Sequence, residues 1–334
     1  MKTSQPGNLS YKNLFVVLSL FISLTTMAVV KTSVSNGNWS KSSTWSPSGV
    51  PSSTDKIYIY HTVTLDQNFT TSDTIFVCSV LNFSNNKVLT LSPGIMVLVN
   101  NSQYNGRIGS MGSKSEIIGN YIFQKWVSRC DGFSTYGSPF DVQASEFNWY
   151  YCYRCMPSWS NIYFYDESKP GSLENGYYDS IPGTIKRGLG FYYWYSNYTG
   201  GMNFPRQISL KGSSDFSDDF VFPVTKTTSS VTSDDGYNLV SNPFPGTIDW
   251  LSTGWGKRKI NDAIYTWNSC SGVYSSYVSG IGVNGGSRYI SSMQGFWIQA
   301  NHNNPLLTVN NEALVDDSRS LLRPSVNEPT KVLR

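Results

Sequence analysis

The chain has 334 residues, of which 39 % are hydrophobic, 15 % aromatic and only 14 % charged, with a formal net charge of +3. Average domains carry about 25 % charged residues, so this composition argues against a coiled coil, a charged disordered tail protein or a nucleic-acid binder with a basic stripe. The length allows about two or three domains.

Residues 1–28 read as a signal peptide. Basic Lys2 and Lys12 accompany an apolar run over 14–24, and Thr26 and Ala28 supply small residues at the −3 and −1 positions of a cleavage site. The run falls short of the ~20 apolar residues that span a bilayer, and no later stretch reads as a membrane helix. Removing the segment leaves 23 basic and 22 acidic residues, a balance of +1. The mature chain is expected to be exported, at the cell surface or extracellular, with no transmembrane helix.

Residues 29–119 form a strand-rich, β-helix-like region. Short alternating or β-branched runs at 56–60, 62–65, 74–77, 88–91 and 95–99 are mostly bounded by Asn, Ser, Asp, Gly or Pro. Such runs have the length of strands, and the residues between them favour turns. Their even spacing favours a solenoid over the alternative, an antiparallel meander.

The next two hundred residues contain a duplication. Pro139 and Pro243 end similar Ser/Asn-Pro-Phe corners 104 residues apart, Ile162 and Ile264 open similar aromatic runs 102 apart, and Gly190 and Gly295 start Gly-Phe runs 105 apart. Proline fixes φ and ends a ladder, the following Phe can turn into a core, and a glycine opening a strand signals a bulge or a close backbone approach. These landmarks predict an all-β chain: the β-helix-like start, then two tandem β-sandwich (jelly-roll-like) repeats over 120–223 and 224–312, and a polar tail over 313–334. Closure of both halves into one larger sandwich fits the same pattern.

The search for chemistry gives little. There is no Gly-x-Ser-x-Gly and no His-Glu-x-x-His. His61 and His302 are the only histidines, and Cys152 and Cys155 form a lone Cys-x-x-Cys among five cysteines. Neither a metal site nor a cofactor is expected; a disulfide among Cys130, Cys152 and Cys155, or buried thiols, accounts for the cysteines. The carboxylate pairs Asp166/Glu167, Asp218/Asp219 and Asp234/Asp235 sit in turn-like contexts. The reading is therefore non-enzymatic. The surplus is aromatic, crowding residues 149–153, 163–165, 177–178 and 191–195. Strand alternation turns half of such residues outward, where Tyr and Trp suit sugar rings or protein partners; buried, they are core. Trp149, Tyr150, Tyr153 and Trp159, in the segment between the first corner and the next strand, are the candidate binding residues, since loops on a rigid scaffold commonly carry binding.

Two segments carry a family resemblance. Gly37, Trp39, Thr44 and Trp45, followed by Gly49, Pro51, Asp55, Ile57 and Ile59, are similar to the opening of β-helical regions in surface proteins of Bacteroidota exported by the type IX system. Asn238, Leu239, Val240, Asn242, Pro243, Phe244 and Pro245, with Ile248, Asp249, Trp250, Ile264, Tyr265, Gln294, Gly295 and Phe296, resemble a second unit of those adhesin-like chains. The likeness spans residues 37–312. It implies a structural or adhesive role at the cell exterior, with an extracellular polysaccharide or a surface protein as partner. The carbohydrate-binding accessory module is the alternative, and a polysaccharide-degrading enzyme a more distant one. Such proteins usually end in a C-terminal β-sandwich sorting domain, for which the sequence after residue 312 leaves no room.

Overall fold

The computed structural model describes residues 28–127, 132–147, 151–152, 159–180, 183–195 and 206–317. The expected signal peptide, apart from Ala28, and the end of the polar tail lie outside them. The described chain is all-β, its helical turns being short 3-10 segments.

The first thirteen strands wind as a coil. They are β1 (Val30–Ser33), β2 (Gly37–Asn38), β3 (Trp45–Ser46), β4 (Lys56–Ile59), β5 (Thr62–Leu65), β6 (Phe69–Thr71), β7 (Thr74–Val77), β8 (Val80–Phe83), β9 (Val88–Leu91), β10 (Ile95–Leu98), β11 (Arg107–Met111), β12 (Glu116–Ile118) and β13 (Tyr121–Val127). Three parallel sheets result, β1-β4-β7-β10-β13, β2-β5-β8-β11 and β6-β9-β12. From β4 to β12 each turn of chain gives one strand to each sheet, which is not the pairing of an antiparallel meander. Parallel in-register pairing sets like on like: Ile57, Ile75, Met96 and Tyr121 are successive partners, and all are fully buried. Alternation leaves the other face of each strand outside, and Tyr58 and Phe76 stack there at 4.8 Å.

Both ends of the coil are covered. At the start, β3 turns back antiparallel on β1. Buried Trp39 and Trp45 meet edge to face at 5.1 Å, and the Trp45 indole N–H donates to the Trp39 carbonyl at 2.8 Å. At the other end the parallel stack runs through β13, past residue 119, and β22 (below) pairs antiparallel with it from Tyr121 to Val127.

The remaining strands are β14 (Gly132–Tyr136), β15 (Val142–Gln143), β16 (Tyr151–Cys152), β17 (Trp159–Ser160), β18 (Ile162–Tyr165), β19 (Tyr177–Tyr178), β20 (Thr184–Ile185), β21 (Phe191–Tyr195), β22 (Arg206–Gly212), β23 (Phe220–Val221), β24 (Tyr237–Ser241), β25 (Thr247–Asp249), β26 (Trp255–Arg258), β27 (Ala263–Asn268), β28 (Val273–Val278), β29 (Ile281–Val283), β30 (Tyr289–Ile290), β31 (Gly295–Gln299), β32 (Leu306–Val309) and β33 (Leu314–Val315). One sheet runs β14-β21-β18-β19 and another β24-β31-β27-β28-β29, with β15-β20 and β25-β30 paired beside them. The two sets share one strand order.

The two sheets meet by reciprocal contacts. Tyr136 bridges Gln294, and Leu189 bridges Val240. The Gly137 amide donates to the Met293 carbonyl at 3.0 Å, and the Ser241 amide to the Gly188 carbonyl at 2.8 Å. A Cβ on Gly190 would stand 2.6 Å from the Val240 carbonyl oxygen, and one on Gly295 2.8 Å from that of Tyr136. Both glycines opening the Gly-Phe runs are thus places where one backbone presses on the other. Phe140 and Phe244 turn into the core after their prolines, each 1 % exposed. At the second corner the Asn242 side chain donates to the Gly246 and Ile290 carbonyls and accepts from the Phe244 amide. One apolar core runs from the coil through both sheets.

Candidate aromatic cleft

A second, smaller apolar cluster lies between the two sheets. Tyr192, Leu239 and Trp297 are its buried centre, with Phe133, Tyr163 and Trp267 packed around them. Where this layer reaches the surface it opens into a cleft of about 500 Å³, lined by Gly132, Phe133, Tyr163, Tyr177, Tyr192, Trp194, Trp267, Ser269 and Tyr274. Ligand pockets commonly have this size and an apolar, aromatic lining.

Register places the lining. Phe133 lies opposite Trp194, and Tyr163 opposite Tyr192, so their rings share one face of the first sheet. Trp267 lies opposite Tyr274 on the second. Phe133 meets Trp194 at 4.9 Å and Tyr163 at 5.6 Å, and Trp267 meets Tyr274 at 5.0 Å, all edge to face. This geometry suits the ring quadrupoles but leaves faces unfilled. The Tyr192 hydroxyl lies 2.7 Å from that of Tyr274 and accepts from the Trp297 indole N–H at 3.0 Å. Tyr192 is 8 % exposed and Tyr274 41 %, so the cleft runs from a closed base to an open mouth.

Among the described residues, no Asp, Glu, Lys, Arg or His lines the cleft. Burial, then neighbouring tyrosines, hold the Tyr192 and Tyr177 hydroxyls above the usual tyrosine range. Behind the cleft, burial and the nearby Glu167, Asp234 and Asp166 push Tyr165 up to about 12.

Three of the expected binding residues, Trp149, Tyr150 and Tyr153, lie outside the described residues. Trp159 lies in β17, opposite Cys152; its side chain is also outside the description. Of the aromatic surplus, Tyr163, Tyr177, Tyr192 and Trp194 reach the cleft, whereas Phe164, Phe191 and Tyr193 turn to the core. Sequence reasoning missed Phe133, Trp267 and Tyr274. Alternation marks them as facing one way, but nothing in the sequence shows that two sheets oppose each other there.

The acidic pairs hold turns or tie distant segments together. Glu167, 7 % exposed, accepts from the Thr225 hydroxyl at 2.7 Å, the Thr227 amide at 2.6 Å and hydroxyl at 3.1 Å, and the Gly236 amide at 3.0 Å. It pins the segment joining the two sheets. Asp166 caps its own turn through the Ser168 amide and hydroxyl, and Asp235 accepts from Ser229 in the same way. Asp234 accepts from the Leu173 amide, and Asp219 from the Asn310 side chain. His61 holds the Ser33 carbonyl at 2.9 Å through Nδ1, and His302 bonds to neighbouring Asn301. Among the described residues no three His, Cys, Asp or Glu side chains gather as metal ligands, and no helix is long and apolar enough to cross a membrane. Cys78 is a buried free thiol, pushed up to about 11 by burial, and Cys270 is disulfide-bonded.

Comparison with protein-family models, with curated proteins and with solved structures finds no match.

Proposed function

We propose that this is an exported, non-enzymatic β-protein of the cell surface or its surroundings, with an adhesive role in which the aromatic cleft makes the contact. The observation that carries this reading is the cleft itself: a concave, Tyr- and Trp-lined opening held by two packed sheets, with no charged side chain among its described lining residues. The disulfide at Cys270 supports export, because such bonds persist in oxidising compartments. The resemblance to type IX-secreted surface proteins points the same way. Protease shaving of intact cells tests the location: loss of the full-length chain is expected, and a pool that stays wholly protected overturns the reading.

The aromatic lining also favours the second reading, a carbohydrate-binding module, since flat apolar faces with hydroxyl tips can stack on sugar rings. A glycan array of wild type beside Trp267→Ala separates the two. Glycan binding lost in the variant selects the module. Retained adhesion to cells with no glycan signal selects a protein partner.

A further inference from the structure

We propose that the seam between the coil and the second sheet binds one small monovalent anion of the chloride class, held by Lys125, Arg107 and Ser292. Lys125 lies in β13, the last strand of the coil, and shares a face with Tyr121, Phe123 and Val127, all of them buried. It stands opposite buried Ile208 of β22 and is itself 3 % exposed. The loop before β31 covers it there, and the Lys125 ammonium donates to the Ser292 hydroxyl at 3.2 Å. Arg107 opens β11, the outer strand of the neighbouring sheet. It donates to the Asn105 carbonyl at 3.2 Å and pairs with Asp316, just past β33, at 2.9 Å.

These three side chains hold more donors than acceptors. An ammonium carries more N–H bonds than the one that Ser292 takes. The Ser292 hydroxyl, which accepts from the lysine, has its own proton still to give, and the residue is buried. The Arg107 Nε is buried with no partner. Buried donors are normally bonded, and buried charges paired. Lys125 has no such pairing: among the described residues no carboxylate lies within ion-pair distance of it, and the charged group that acts on it is Arg107, of the same sign. Burial and then Arg107 bring Lys125 down to about 8, so near pH 7 most of it still carries its charge.

The charge count and the donor set select the ligand. Lys125 and Arg107 are positive and Asp316 is negative, which leaves the seam one negative charge short. A monovalent anion closes that gap, whereas a divalent one overshoots it. An anion only accepts, and N–H and O–H groups only need an acceptor. The packing favours a single-atom ion: Gly246 presses so closely on the Ile108 carbonyl, one residue from Arg107, that a Cβ there would overlap it.

Thermal melts of the full-length protein at constant ionic strength, with sodium chloride replacing sodium gluconate, test this. The wild-type midpoint should rise and level off, by about 3 °C once chloride stands roughly tenfold above its dissociation constant. Lys125→Met needs no counter-ion, so it should melt above wild type in gluconate and lose that lead as chloride is added. Ser292→Ala removes one donor and should weaken the chloride response. Crystals grown in bromide should show an anomalous peak within hydrogen-bond distance of Lys125 Nζ. A wild-type midpoint indifferent to chloride, a response that either variant retains in full, or a seam without a bromide peak overturns the proposal.

Discussion

The coil and the paired sheets solve the same burial problem with different side chains. In the coil, aliphatic residues stack in columns, each inward position resting on its equivalent one turn away, as with Ile57, Ile75 and Met96. Between the sheets, large rings meet edge to face, as with Phe133 against Trp194 and Tyr165 against Trp297 at 4.6 Å. Small branched side chains on a regular lattice close-pack without gaps. Rings on two facing sheets cannot all fill the space between them, and the unfilled part is the cleft. Regularity builds the scaffold, and the break in regularity opens the cleft.

The sharpest way to break this comparison is a truncation on each side. Ile75→Ala removes a fully buried rung of the column and should cost about 4 kcal/mol, read as a lowered denaturation midpoint. Glu167→Ala strands the amides of Thr227 and Gly236 and frees the segment between the sheets; a cost of about 3 kcal/mol is expected. A destabilisation as small as that of a surface substitution would deny Glu167 its linking role.

Lys125 probes the seam between the two regions. It is 3 % exposed, bonds Ser292 at 3.2 Å, and is brought down to about 8 by burial and then by Arg107. Its folded value lies below the ordinary 10.5, so the unfolded chain binds more protons between these limits. Stability should therefore rise with pH from about 8 to 10.5. Lys125→Met should remove that slope and stabilise the protein at neutral pH by about 3 kcal/mol, seen in urea melts at paired pH values. The smallest effect is expected at the cleft mouth. Tyr274→Phe keeps the ring and loses the hydroxyl contact to Tyr192, at about 1 kcal/mol by thermal melting.

Much of the fold was legible because its causes are local. The runs at 56–60 and 95–99 alternate or are uniformly apolar, and they became strands with buried inward residues. The glycines opening the two Gly-Phe runs signalled close backbone approach, and Gly190 and Gly295 make it. The carboxylate pairs read as turn residues, and Asp166 and Asp235 hold turns. The cleft was half legible. Tyr163, Tyr177, Tyr192 and Trp194 stood in the aromatic surplus and Trp267 in the second aromatic run, whereas Phe133 and Tyr274 drew no notice, because their contacts with Trp194 and Tyr192 join segments far apart in the sequence.

By itself the sequence determined an all-β chain, its short strands, its corners and its shortage of charge, since alternation, proline and glycine act within a few residues. Only the tertiary structure decided that the early strands pair in parallel, that β22 returns to the coil, and that two sheets face each other across aromatic rings. Pairing direction and facing depend on contacts between residues far apart in sequence, whose loop-closure cost and shared burial no local pattern records.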